Sequence, residues 1–473
     1  MNVFTWFKNH NIDTIDSSFY TQIRLWESWY KGNVQKFHNY KVYNGRNTIR
    51  CKRLSLGMAK KVSEDMADLL LNERVKITVG NSGTTSDFVE SVLKNNKFFT
   101  KGNQYQEIKA YAGTVAYVVH VEDATVNEQG NLEGGQVKIK YVQAKNIFPI
   151  SWENGSVKEV AFLFPKTINR KKYAIIQLHR LQDVEGVKEY VIKNNVVQCS
   201  AGAGKEVLSD KWKELGLGNL AAEIKTGSDK PQFVIDTLNI VNNTDEDDTN
   251  PMGMAIFANS IDVLEKIDNE YDSYMNEFSL GRKRIFVSPE MLEDESGNPT
   301  FDENDLIFYK LPEATLTGEK PIVEVNMELR AEAHSKALND DINFLSFKCG
   351  FGTERYKFEK GTVTTATQVI SENSDMYRTL QKHELILDDA IKELIRIIIR
   401  LGIYTGVPGI SENVEIKIDF DDSIIEDKQS ERMQDMQDVS AGIMPHWEYR
   451  SKWYHEDEET AKRNLPEQNR VME

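Results

Sequence analysis

Residues 254–287 read MAIFANSIDVLEKIDNEYDSYMNEFSLGRKRIFV, and their spacing decides the architecture. Phe257, Ile261, Leu264, Ile267, Tyr271, Tyr274 and Phe278 recur at steps of three or four, while Asp262, Glu265, Glu270, Asp272 and Glu277 take other positions. That period predicts one long amphipathic helix over 254–284. The basic triplet Arg282, Lys283 and Arg284 suits the negative end of its dipole. β-like segments follow at 285–287, 306–309 and 322–325, separated by Pro289, Pro299, Pro312 and Pro321. A second helix is predicted over 328–347, with Leu338, Ile342 and Leu345 in phase. A glycine-bearing basic and aromatic loop spans 348–361, and a third helix, long by globular standards, spans 365–401. Two long helices thus bracket a small β module.

Working outward, the chain up to about residue 72 reads as helical. Trp26, Trp29, Tyr30, Tyr40 and Tyr43 give it an aromatic face, and Leu54, Met58, Val62, Met66 and Leu69 form an apolar stripe. From 110 to 197 the period changes to two, as in Val115, Tyr117, Val119, Val121 and in Val137, Ile139, Tyr141. Gly130-Asn131, Gly134-Gly135 and Asn154-Gly155 punctuate the hairpins. Residues 202–250 are looser and end in the acidic run 245–248. This run lacks the alternating ligands and glycine of a calcium loop and reads as a solvated linker. A strand over 414–420 leads into an acidic helical tail, and the fold class is α+β.

At 473 residues, 40% hydrophobic and 28% charged, the chain has enough apolar material for a real core. Its 58 basic against 74 acidic residues give a net charge of −16, which argues against a protein that coats DNA. Residues 411–473 hold 17 acids against 8 bases, more than half the excess. Cys51, Cys199 and Cys349 are too far apart for a zinc knuckle or disulfide framework, so a reduced, cytosolic setting is expected. The start lacks a signal-peptide core, and the most apolar stretch, 394–404, is too short and too charged to span a bilayer.

Catalytic signatures are missing. Residues 201–205 approach a phosphate loop, but Cys199 holds the first-glycine position and Glu206 the hydroxyl position, so a turn is the better reading. No paired metal-binding histidines and no serine elbow appear, and no metal or cofactor is expected. In the 348–361 loop, Lys348, Arg355, Lys357 and Lys360 alternate with Phe351, Tyr356 and Phe358. Such a loop either touches a phosphate backbone or turns its aromatics inward as an ordinary hairpin.

The order of elements resembles that of tailed-phage portal proteins. The wording of 53–61 (RLSLGMAKK), 278–287 (FSLGRKRIFV) and 365–374 (TATQVISENS) is similar to the subgroup of long-tailed phages of Gram-positive hosts. The likeness runs from about 26 to 465, strongest over 251–383. It implies a wing region at 1–250, a first stem helix at 251–284, a clip at 285–326 and a second stem helix at 327–347. A tunnel loop at 348–363, a crossing helix at 364–402 and a strand with an acidic helical crown at 403–473 would follow.

The resemblance also implies a non-enzymatic ring of twelve subunits at one capsid vertex of the virion, assembled in the host cytoplasm without a membrane. Double-stranded DNA would pass through its channel during packaging and ejection. Implied partners are scaffolding and major capsid proteins, the terminase large subunit, and later the head-completion adaptor and tail. Lys348, Arg355, Lys357 and Lys360 become candidate DNA contacts of the tunnel loop. Arg282, Lys283 and Arg284, at the stem–clip boundary, face DNA, a partner or a neighbour's carboxylates. Two other classes stay open: a nucleotide-driven packaging enzyme, and a monomeric virion adaptor acting through its acidic tail.

Overall fold

The computed structural model describes residues 1–465 except 44, 73, 81–82, 127–131, 185, 288–307, 311–321, 326, 354, 357–365, 421–427, 455 and 457. It begins with α1 (Val3–Asn9), α2 (Phe19–Tyr30) and α3 (Gln35–His38). Phe19, Tyr20, Ile23 and Trp26 recur on the buried face of α2, and the Tyr20 hydroxyl donates to the Ile147 carbonyl at 2.6 Å. The chain does not stay helical to residue 72, as the sequence suggested. Tyr40 and Tyr43 lie in β1 (Asn39–Tyr43), which pairs antiparallel with β2 (Thr48–Lys52), and Leu54 precedes α4 (Met58–Leu70). The reason is a period of two in both strands, with Tyr40 opposite Cys51 and Val42 opposite Ile49. On α4 the stripe Met58, Val62, Met66 and Leu69 is buried as predicted.

After β3 (Lys76–Val79), α5 (Thr84–Asn95) and α6 (Phe98–Ala112), the β-rich body opens with β4 (Thr114–Glu122), β5 (Thr125–Val126), β6 (Leu132–Glu133) and β7 (Gln136–Gln143). Next come β8 (Ile147–Glu153), β9 (Ser156–Ile168), β10 (Lys171–Val184) and β11 (Val187–Gln198), an antiparallel meander extended by β12 (Lys205–Val207) and β13 (Glu223–Lys225) into a six-stranded sheet. Asn154 and Gly155 join β8 to β9 with φ of 50° and 75°, a two-residue turn whose twist matches the strands. The strands therefore continue beyond residue 197. In the supposedly loose stretch Trp212 is 4% exposed in a satellite cluster with Tyr173, Val196 and Leu217. β14 (Phe233–Thr237) then pairs with β4, which also pairs with β7.

Residues 251–257 are buried without being helical, and α7 covers only Ile261–Leu280 rather than 254–284. Tertiary contact overrides the local period here. Gly253 and Gly113 approach so closely that a Cβ built on Gly113 would lie 2.2 Å from the Gly253 carbonyl oxygen. The Ile256 amide donates to the Ala110 carbonyl at 2.8 Å. A small sheet follows, with β15 (Arg284–Val287) central, β16 (Phe308–Lys310) parallel to it and β17 (Ile322–Val325) antiparallel. Then α8 (Ala331–Lys348) returns along α7, and α9 (Ala366–Tyr404) passes beneath β14 and β4. Leu380, Leu387, Ile391, Leu394 and Ile398 of α9 are buried in one core that runs from Trp6 to Ile418. β18 (Ile416–Asp419) closes on β3, and α10 (Lys428–Ser440), α11 (His446–Tyr454) and α12 (Glu458–Arg463) end the described chain.

Candidate functional site

The α7–α8 pair is tied along one line. Lys348 reaches Asp262 at 3.3 Å, Lys266 reaches Asp341 at 2.5 Å, His334 Nδ1 lies 2.6 Å from Glu270, and Arg330 grips Glu277 at 2.8 and 3.1 Å. Residues 262, 266, 270 and 277 share a helix face, so the antiparallel partner meets each in turn. The Arg330 side chain, then its amide, holds the Glu277 carboxyl down at about 2. His334 also stacks on Tyr274 with centroids 5.6 Å apart. Most of these pairs face solvent and contribute little each, but together they set the register of the two helices.

The opposite side of α7 captures the 53–57 segment. Asp268 accepts from the Leu56 amide at 2.8 Å and lies 3.0 Å from His38 Nε2, while Asp272 accepts from the Leu54 amide at 3.0 Å. The Val34 amide donates to His38 Nδ1 at 2.8 Å, so the network assigns the ring proton to Nε2 and a donor role toward Asp268. His38 and Asp268 were not among the sequence candidates. A lone histidine and one acid 230 residues apart carry no local pattern that would have joined them.

The basic candidates separate into two groups at opposite ends of the pair. Twenty residues of α7 span about 30 Å. At one end Arg282 and Lys283 are exposed and the half-buried Arg284 opens β15. At the other, Lys348 is the last residue of α8 and Arg355 is exposed, while Lys357 and Lys360 lie outside the described residues. Two aromatics of this loop, Phe351 and Tyr356, turn inward, and Phe358 lies outside the described residues. Phe351 is 3% exposed and its ring lies 6.0 Å from that of Tyr356. Burial first, then the Asp65 charge, pushes the Tyr356 hydroxyl far up, and burial takes the Cys349 thiol up to about 12. Aromatic stacking on a base is therefore not what Phe351 and Tyr356 do here, whereas Arg355 remains at the surface.

The phosphate-loop lookalike is a hairpin turn. Lys205 pairs with Gln198 across β11 and β12, and the Gly202 carbonyl accepts from the Asn2 amide at 2.6 Å. Asp247 of the acidic run accepts from the Thr249 amide and hydroxyl at 2.9 and 2.7 Å. Among the described residues no group of three or more His, Cys, Asp or Glu side chains could hold a metal ion, and no helix is long and apolar enough to cross a membrane. The most buried charge is elsewhere. Lys109 donates to Asp236 at 2.8 Å with both side chains fully buried, and Gln106 and Tyr117 complete the carboxylate's partners at 2.9 and 3.3 Å. Burial pulls the Lys109 ammonium down and Asp236 pulls it back.

The family described as "Phage portal protein, SPP1 Gp6-like" matches residues 9–473. No curated protein matches the chain. Among solved structures, the neck of an empty GTA particle, computed with C6 symmetry, is 10% identical, with a TM-score of 0.38 over 83% of this chain and 87% of that one. A match over nearly the whole length places the chain in the phage portal family, whose members are structural proteins of the virion and not enzymes. Its role is accordingly that of a portal, or head–tail connector, protein.

Proposed function

We propose that this chain is one subunit of a closed ring of twelve at a capsid vertex, the channel for double-stranded DNA during packaging and ejection. In this reading α7 and α8 are the stem, the β15–β17 module is the clip, and α9 crosses the wing. The clip docks the terminase large subunit first and the head-completion adaptor and tail later. Scaffolding and major capsid proteins surround the ring as it assembles in the host cytoplasm, and the subgroup is that of long-tailed phages of Gram-positive hosts.

The observation that carries the reading is the outer surface of the stem. Its helices are locked to each other by polar ties, yet Met275, Phe278, Phe344 and Phe347 remain exposed. Large apolar side chains left in water on a locked helix pair call for neighbours, and a heterologous contact that closes by rotation gives a ring. An acidic subunit holds phosphates weakly, which suits DNA in transit, and the bases at 348–360 position the strand.

The test is a head-packaging assay with Lys357→Ala combined with Lys360→Ala. The expected result is intact rings with impaired packaging or retention of DNA. Normal packaging and infectivity would remove the loop from the mechanism.

A further inference from the structure

The hairpin that joins β9 to β10 concentrates positive charge. Residues 166–172 read KTINRKK, four bases with no acid, in a chain of net charge −16. Asn169 and Arg170 form its two-residue turn, with φ of 48° and 62°. Lys166, Arg170, Lys171 and Lys172 are all exposed, and none of them makes an ion pair among the described residues.

The sheet gathers more bases at the same end. Residues paired directly across strands share a face, so Lys166, Tyr173, Gln198 and Lys205 form one row across β9–β12. Lys171 lies on that face too, a diagonal neighbour of Lys166 at about 7–8 Å. The 208–217 segment covers the row, with Trp212 packed against Tyr173 and Val196, and it exposes Lys211 and Lys213 beside Trp212. Glu206 is engaged by Trp6 and His10 at 2.8 Å each, which leaves Asp210 and Glu214 of these segments against seven bases.

Ordinary roles do not account for the cluster. A lysine guards a sheet edge against pairing with another chain, and β8 reaches only Phe162 on β9, so Lys166 has that explanation. Lys171 and Lys172 lie on β10, which is flanked on both sides, and the Cys199 amide donates to the Lys172 carbonyl at 2.8 Å. Arg170 holds a left-handed position that such turns give to glycine or asparagine. A charge kept there at the expense of the turn points to a contact made by its side chain.

The composition selects the occupant. Six of the seven bases are lysines, and within 163–175 and 196–217 no aromatic side chain is exposed and Leu208 is the one large apolar side chain left in water. Protein interfaces are depleted in lysine and anchor on aromatics and arginine. Single strands and RNA loops are held by stacking on aromatics. Lysines without either match the backbone of duplex DNA, whose phosphates take point charges without any reading of sequence. The net charge of −16 does not forbid this, because at physiological salt a phosphate feels chiefly the charges within about 8 Å.

We propose that the β9–β10 tip, with the bases beside Trp212, is a binding site for the phosphate backbone of double-stranded DNA, additional to the 348–360 loop and independent of ring formation.

The test is a gel-shift titration of the full chain with relaxed, closed circular duplex DNA, which cannot thread a ring. Binding is expected at low salt and should fall linearly with salt on logarithmic axes. Lys166→Gln, Arg170→Gly, Lys171→Gln and Lys172→Gln combined should weaken it at least tenfold and lower the salt slope by about one for each base in contact, with circular dichroism and ring yield unchanged. Arg170→Gly alone should weaken binding while holding or raising the unfolding midpoint, a split that a structural role for Arg170 would not give. Lys171→Arg with Lys172→Arg keeps the charge and should bind like the parent. Failure of the parent to bind the circle, or unchanged affinity and slope in the fourfold variant, would overturn the proposal. So would parent binding to poly-glutamate as tight as to the circle, which would make this an acidic-protein surface. None of these outcomes bears on the ring reading, since the circle stays outside a closed ring.

Discussion

The β-rich body and the stem pair hold their charges in opposite ways. In the body, Lys109 and Asp236 are sealed from water and every oxygen of the carboxylate has a donor inside the subunit. In the stem, Arg330 is 71% exposed in its pair with Glu277, and large apolar side chains stand beside the polar ties. The body completes itself within one chain. The α7–α8 pair fixes its own register but leaves Met275, Phe278, Phe344 and Phe347 exposed. Stability should therefore reside in the body and assembly in the stem.

The largest test of that division is Asp236→Ala. It strands a buried ammonium and should cost about 3–5 kcal/mol of subunit stability, read by denaturant unfolding. A loss near 1 kcal/mol would mean that Lys109 finds water and the body is less sealed than described. Leu264→Asp comes next. Leu264 is 3% exposed at the base of α7, and burying a charge there should cost at least about 3 kcal/mol. A well-folded ring of normal size in that variant would show that the wrong face of α7 has been taken as buried.

A third prediction concerns pH. Burial holds His179 down at about 3, and burial, then the Lys109 and Lys382 charges, do the same for His383. Both rings are neutral in the folded chain, while the unfolded chain binds their protons near pH 6.5. Stability is thus complete above about 6.5 and falls as the pH drops from there toward 3, by about 1.4 kcal/mol per unit for each ring. A flat unfolding midpoint between pH 6.5 and 5 would contradict this. Phe344→Ser sharpens the comparison from the other side. At an exposed site it should change subunit stability by less than about 0.5 kcal/mol, yet ring yield should drop. The smallest effect is expected for Arg330→Ala. It releases Glu277, so the small stability difference from the parent should vanish as pH falls from the ordinary carboxylate range toward 2.

The division also explains what was legible in the sequence. Local periods carried the α7–α8 pair, since 261–280 and the strand 322–325 lie within the predicted segments and 331–348 passes the end of its segment by one residue. They failed where burial comes from distant chain. Residues 251–257 mimic a helical stripe but are pressed against Gly113 and Ala110, more than a hundred residues away. The hairpin at 39–52 was hidden by aromatics that fit a helix equally well, although the alternation of Tyr40, Val42, Ile49 and Cys51 was readable. The basic residues of the 348–361 loop were visible as charge. That Phe351 is a core residue with Tyr356 packed against the core was not, because that core is built from distant parts of the chain.

The central claim is that this subunit is incomplete without copies of itself. Native mass of the purified full chain, taken across salt and concentration and checked by negative-stain images, tests it most directly. The account predicts a closed ring near twelve subunits with a central hole. A particle that stays monomeric or dimeric under every one of those conditions, and in the presence of scaffolding protein, would contradict it.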